Sequence, residues 1–295
     1  MGRRNLIYIV LFFVISISCE KIIDIDIPEK EKKIVINSII STDSLVKVNV
    51  SKSLNILDDK NVIYLNKATV KLYEDDKFIE NLTNISNGNF MSKVFYPKMG
   101  KNYKIEVSAQ NLKTVTAESK IPQKVKITSI DTATKNEEGY FSLEFTLKFD
   151  EPENETNYYL LQMKTYQPSD YDFETQTYAK DKLENLYISS DDNMVESIAN
   201  FGGILFSDKL INGQSYSLKL TVDKYNFYND TNLVYVYLNS VSKDFYLYLK
   251  SYNQHQEAKY DPFAEPVQVY KNIKNGYGIF AGYSSYVDSI EVLGQ

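Results

Sequence analysis

The chain has 295 residues, with 39 acidic and 33 basic side chains, one histidine, one cysteine and a net charge of −6. A single cysteine excludes an internal disulfide and thiolate-built metal centres. The acidic balance, with Arg3 and Arg4 as the two arginines, argues against nucleic-acid binding, which draws its affinity from clustered cations that displace counterions from phosphate.

At the N-terminus, Arg3 and Arg4 precede an apolar run from Leu6 to Ile15, followed by Ser16, Ile17, Ser18 and Cys19. The run is long enough for a signal-peptide core and far short of the roughly 20 residues that span a bilayer. Small residues before a sole cysteine are what lipoprotein processing requires, so residues 1–18 are expected to be a removed signal peptide. Cys19 is then the lipidated residue that holds the chain on a membrane. Ser16 stands where the usual lipobox carries Leu, Val or Ile, and an ordinary secretory cleavage nearby is the competing reading. Residues 19–33 alternate charge with isoleucine around Pro28 and end in Glu29-Lys30-Glu31-Lys32-Lys33, the composition of a tether.

From Ile34 to Pro122 short β signals crowd together: Ile34–Ile40, Leu45–Val50, Ala68–Tyr73, Phe78–Leu82, Phe90–Phe95, Tyr103–Ala109 and Val115–Ser119. Val46, Val48 and Val50 alternate against Lys47 and Asn49, and Asp75-Asp76 and Asn87-Gly88 supply turns. The pattern predicts an immunoglobulin-like or prealbumin-like β-sandwich over 34–122. A second β-rich domain is expected over 123–295. It opens with strands at Val125–Ile130 and Phe141–Phe149 and continues at Tyr158–Tyr166, Leu186–Ser189, Ile204–Phe206, Tyr216–Val222 and Leu233–Leu238. Phe245, Tyr248, Leu249 and Tyr252 change the period to that of a helix, capped by Ser242 and Asp244, so one substantial helix is predicted over Lys243–Lys259. A shorter one is predicted over Asn193–Asn200, with final strands at Val267–Tyr270, Ile279–Tyr283 and Ser289–Leu293. The fold class is therefore mainly β.

Chemistry is sparse. His255 lies on the predicted helix among Asn253, Gln254 and Gln256, as an edge-of-core or surface residue does, and no Gly-x-Ser-x-Gly elbow, His-Glu-x-x-His pair, calcium loop or phosphate cradle occurs. No catalytic residue, metal or cofactor is assigned. Asp191-Asp192-Asn193 and Asp58-Asp59 are oxygen-rich, as solvated turns are. The conspicuous resource is 25 Tyr and 15 Phe. Most suit strand cores, but Tyr171, Phe173 and Tyr178 in one polar stretch, and Tyr225, Phe227 and Tyr228 in another, stand among Asp, Asn, Gln and Ser. They are candidate contacts for a ligand or partner, with local packing as the alternative. Asp43-Ser44-Leu45, Asp131-Thr132-Ala133 and Asp288-Ser289-Ile290 match a short O-glycosylation acceptor pattern and equally read as turns entering strands.

Cys19-Glu20-Lys21-Ile22-Ile23-Asp24-Ile25-Asp26 leading to Ile34-Val35-Ile36-Asn37, the segment Ala68–Asp75, the helical Tyr246-Leu247-Tyr248-Leu249, and the segments Asp261–Val267 and Asn275–Ser284 together resemble a Bacteroidota lipoprotein family, domain of unknown function 4249. The resemblance spans essentially the whole mature chain. It implies a cell-envelope location in the company of TonB-dependent outer-membrane transporters, and it implies no reaction.

The leading expectation is a non-enzymatic outer-membrane lipoprotein that binds a ligand or protein partner as an accessory of a TonB-dependent transporter in nutrient uptake. A structural or adhesive envelope protein is the alternative, and a hydrolase using two carboxylates is a third reading.

Overall fold

The computed structural model describes residues 31–55, 58, 61–137, 139–153, 155–167, 171–172, 177–178, 182–227, 230–261 and 263–293. The expected signal segment, Cys19 and the expected tether through Lys30 lie outside the described residues. The first half carries β1 (Ile34–Ser41), β2 (Lys47–Lys52), β3 (Ile63–Tyr64), β4 (Thr69–Glu74), β5 (Lys77–Asn81), β6 (Thr83–Ser86), β7 (Asn89–Met91), β8 (Asn102–Ser108) and β9 (Val115–Lys120). The second half continues with β10 (Ile127–Glu137), β11 (Tyr140–Asp150), β12 (Tyr158–Gln167), β13 (Tyr171–Asp172), β14 (Thr177–Tyr178), β15 (Lys182–Asn185), β16 (Glu196–Ile198) and β17 (Gly203–Ser207). After β18 (Ser215–Asp223) and β19 (Thr231–Val241) come the helix α1 (Lys243–Ala258) and the last strand, β20 (Tyr277–Leu293).

These elements follow from local rules. The alternating burial of β8, in which Tyr103, Ile105 and Val107 face inward, is the period-two pattern of a half-covered strand. The expected turns at Asp75-Asp76 and Asn87-Gly88 each hold two successive positive φ angles, the twist that lets a two-residue loop join antiparallel strands. Helix α1 starts where Ser242 accepts a hydrogen bond from the Phe245 N–H at 3.3 Å, with Asp244 in the first turn against the helix dipole.

One large sheet organises the molecule, in the order β16-β17-β12-β19-β20-β1-β2-β7-β6, with β15 added on β12 and β3 on β2. Two smaller sheets, β5-β4-β8-β9 and β10-β11-β18, pack against it. Ile34, Ile36, Val48 and Val50 of the large sheet meet Val70, Leu72, Ile105 and Val107 in a first core. Tyr159, Leu161, Met163, Val234 and Val236 meet Phe145, Leu147, Leu218 and Leu220 in a second. Helix α1 covers part of the opposite face, with Leu249 packed on Leu160, Leu205 and Val241. The first core takes residues from Ile34 to Ile121 and also Ile273 and Phe280 from the far end of the chain, and the second takes residues from Val125 to Val292, so core membership does not mark the division expected between residues 122 and 123. The sheet itself runs across that division, and Lys32–Gln295 forms one compact unit.

The crossing is made by β20. Residues Tyr277–Tyr283 pair in parallel with Val35–Ser41 of β1, and from Tyr283 onward the strand pairs antiparallel with β19, Leu293 opposite Thr231. Its even-numbered face feeds both cores: Phe280 belongs to the first, and Tyr286, Ile290 and Val292 to the second. The entry is clamped by Asn272, whose side chain donates to the Phe280 carbonyl at 2.7 Å and accepts the Phe280 N–H at 3.0 Å. Gly278, at φ 98°, lets the strands close, because a Cβ there would overlap the Ile36 carbonyl oxygen.

Several sequence expectations are corrected. The helix over Asn193–Asn200 is instead β16 followed by one 3-10 turn, Ala199–Phe201, ended by Gly202 at φ 61°. Pairing Ser197 with Ile204 buries Ile198, a gain that a short isolated helix could not offset. Val267–Tyr270 is not a strand but a strap across α1, held by the Val267 carbonyl at 2.8 Å from His255 Nδ1 and by the Tyr270 N–H donating to Ser251 Oγ at 2.8 Å. Asp131-Thr132-Ala133 and Asp288-Ser289-Ile290 lie within β10 and β20, not in turns, whereas Asp43 and Ser44 do occupy a turn.

Gly278→Ala is expected to lower the unfolding free energy by about 2–3 kcal/mol or more, since it adds both a strained φ and a clash with backbone that cannot retreat. Urea denaturation followed by far-UV circular dichroism measures this. An unchanged midpoint would show that β1 and β20 are not held at the spacing described.

Candidate functional site

The face of the large sheet that carries α1 is only partly covered. Three strands lie in register there, so side chains form rows across them. Tyr158, Val241 and Tyr283 make the first row, roofed by the helix, where Tyr158 and Tyr246 have ring centroids 4.7 Å apart and Phe245 and Tyr283 6.1 Å apart. Leu160, Asn239 and Ser285 make the second row, at the helix edge. Gln162, Tyr237 and Val287 make the third, and Lys164, Tyr235 and Ser289 the fourth, both beyond the helix.

Where the helix stops, a groove of about 390 Å³ opens, floored by the second and third rows and walled by Phe201, Phe245 and Leu249. Asn239 is only 4% exposed; its amide nitrogen donates to the Leu160 carbonyl at 3.0 Å and to Gln162 Oε1 at 3.4 Å. Gln162 in turn donates to the Phe201 carbonyl at 2.7 Å, so the amides are locked before any ligand arrives. The Lys164 ammonium sits 5.1 Å from the centre of the Tyr237 ring, within cation–π range. Burial, with Tyr235 and Tyr166 nearby, holds the Tyr237 hydroxyl above the ordinary tyrosine pKa, so it is a donor at neutral pH. Ser285 Oγ is buried and has no hydrogen-bond partner.

A second, shallower groove of about 420 Å³ runs between α1 and the strap, lined by Lys250, Ser251, Gln254 and Gln268–Lys271. Its wall is fixed by the Tyr270 hydroxyl, which donates to Asp244 at 2.6 Å and whose pKa is pushed up to about 12, first by burial and then by that carboxylate.

The sequence candidates fall elsewhere. Tyr171 and Tyr178 are register partners in the β13–β14 pair, and Phe173, Tyr228 and Cys19 lie outside the described residues. Tyr225 is 63% exposed, while Phe227 is 1% exposed and packs in the second core, which makes it a packing residue. Gln167, at the end of β12, donates from Nε2 to the Asn226 carbonyl beside Tyr225 at 3.1 Å. Gln162, Lys164, Tyr237, Asn239 and Ser285 were not among the sequence candidates. Their signal was present: Gln162 and Lys164 alternate with Leu161 and Met163, an amide and an ammonium set against the buried run Tyr159, Leu161 and Met163 on the strand's other face.

For acid–base chemistry, the buried carboxylates among the described residues are Glu151 and Asp208. Glu151 accepts from Asn157 at 2.8 Å, Tyr159 at 3.0 Å and the Gly213 N–H at 2.9 Å, and Asp208 accepts the Asn157 N–H at 2.7 Å. These bonds tie the end of β11 to β12 and the turn before β18, and they are occupied by structure. Among the described residues no three His, Cys, Asp or Glu side chains gather as a metal would need.

Because the fold favours protonated Tyr270, its bond to Asp244 stabilises fully below the ordinary tyrosine value of 10.0 and is lost as pH rises from there through about 12. Tyr270→Phe is therefore expected to cost about 1–2 kcal/mol at neutral pH. The gap from the unsubstituted protein should narrow across that alkaline window, as read from urea midpoints at each pH; a constant gap would mean that the hydroxyl contributes nothing through Asp244.

A comparison with curated proteins found no match. The family model described as Domain of unknown function (DUF4249) matches residues 20–288, from just after Cys19 to the last strand, and the chain belongs to that family.

Proposed function

We propose that the protein is a non-enzymatic, lipid-anchored component of the outer membrane that binds a ligand or partner as an accessory of a TonB-dependent transporter in nutrient uptake. The observation that carries the reading is the placement of the chain's one cysteine, Cys19, just after Ser16-Ile17-Ser18 at the end of an apolar run too short to span a bilayer. Support for binding over catalysis comes from the groove, whose polar groups are amides, hydroxyls, one lysine and the single carboxylate of Asp43, without the carboxylate pair that hydrolysis of a glycoside needs. Tyr260 and Phe263, almost fully exposed, favour a second reading as an adhesive envelope protein, in which apolar tips make contacts without uptake.

Two measurements on the native host test the proposal. Metabolic labelling with a palmitate analogue is expected to mark the protein and to be abolished by Cys19→Ser, which should move the chain out of the membrane fraction. Affinity capture from detergent-solubilised outer membranes is expected to enrich a TonB-dependent transporter in stoichiometric amount. Labelling that persists in Cys19→Ser would refute the anchor, and repeated recovery of the protein alone would favour the adhesive reading.

A further inference from the structure

We infer that the groove beside α1 is a saccharide-binding site sized for a mono- or disaccharide, an inference that rests on the proposed binding role and gives it a ligand class. Its volume of about 390 Å³ is at the small end of ligand pockets. Chemistry then narrows the class. Sugars offer two things at once, an apolar C–H face that stacks on aromatic rings and a rim of hydroxyls that both donate and accept. Tyr237 supplies the ring on the floor, and Phe201 and Phe245 supply aromatic walls. The Asn239 amide nitrogen is spent on protein acceptors, which leaves its oxygen to receive a hydroxyl hydrogen, and Ser285 Oγ is a buried hydroxyl without a partner. An unpartnered hydroxyl costs free energy that a ligand hydroxyl would recover.

Other ligands fit less well. An extended peptide binds by adding to a free strand edge, but β12 and β19, the strands bearing Gln162 and Tyr237, are each paired on both sides. A phosphate or carboxylate ligand calls for convergent cations, and the groove has the single Lys164, already over the Tyr237 ring. A lipid chain would have to desolvate two amides and a hydroxyl with nothing to replace water.

The test uses the detergent-purified mature lipoprotein and saturation-transfer NMR with maltose, cellobiose, xylobiose, mannobiose and diacetylchitobiose as probes. At least one disaccharide is expected to show saturation concentrated on its ring C–H protons. Tyr237→Ala should weaken it by about tenfold or more, Tyr237→Phe should retain the stacking and most of the binding, and Tyr140→Ala, at an exposed position outside the groove, should change nothing. Val287→Trp, at a half-exposed floor position, is a second route to loss by filling the groove, and melting curves establish that each variant is folded. Absence of saturation with every probe would overturn the proposal. So would undiminished binding in folded Tyr237→Ala and Val287→Trp, or competition of the probe by an unstructured peptide. None of these results would alter the membrane anchor or transporter capture, so failure of the saccharide assignment is separable from failure of the proposed role.

Discussion

The fold depends on one strand serving two partners. β20 pairs with β1 through Tyr283 and with β19 from Tyr283 on, so a single run of 17 residues carries the hydrogen-bond ladder from the first half of the chain to the second. A parallel pair between strands from the two ends of a chain closes a very long loop, and its entropic cost is met after both halves have begun to fold. What holds it is burial and geometry, not charge. Phe280, Ala281 and Ile279 are essentially inaccessible, whereas the ion pairs, such as Lys71–Glu106 and Lys250–Glu196, are part-exposed and of the kind that contributes ~0–1 kcal/mol. Gly278 and Gly282 mark where this closeness is tightest, the first against Ile36 and the second against Lys120 and Ile121.

That same strand explains why a groove exists. A sheet face must be covered, wet or functional, and here the two small sheets cover most of one face while α1, of 16 residues, covers only the start of the other. The rows nearest the helix are apolar and aromatic, and those beyond it become Gln162, Lys164 and Ser289 interleaved with Tyr237, Tyr235 and Val287. The result is a wall of helix beside a floor of sheet, with its amides fastened by Asn239 and Gln162. The parallel-paired half of β20, Tyr277–Tyr283, lies in the C-terminal segment that carried the family resemblance, so its glycines position the floor strand, and its Tyr283 lines the groove.

Much of this was legible in the residues. Period-two alternation located most strands, and the shift to i, i+3, i+4 spacing located α1 to within a residue at its end. Pairing was not legible: nothing local says that Ile34–Ser41 will seek Tyr277–Tyr283, because a parallel register across the whole chain leaves no turn to read. Asn193–Asn200 misled because Met194, Val195 and Ile198 mimic a helical stripe while sheet burial decides the outcome. The site was missed for a related reason. Tyr171, Tyr225 and their neighbours drew attention as aromatics in polar loops, while Tyr237 and Asn239 sat inside a strand and looked like core until the register showed which face was bare.

Hydrogen-exchange mass spectrometry in rising urea tests the shared strand most directly. If β20 joins the halves, peptides covering 34–41, 231–241 and 277–293 should lose protection together at one urea concentration, with the Gly278→Ala protein shifting all three. Loss of protection in 34–41 while 277–293 stays protected would contradict the account, because it would mean that the two halves unfold separately and that the strand joining them carries none of the stability.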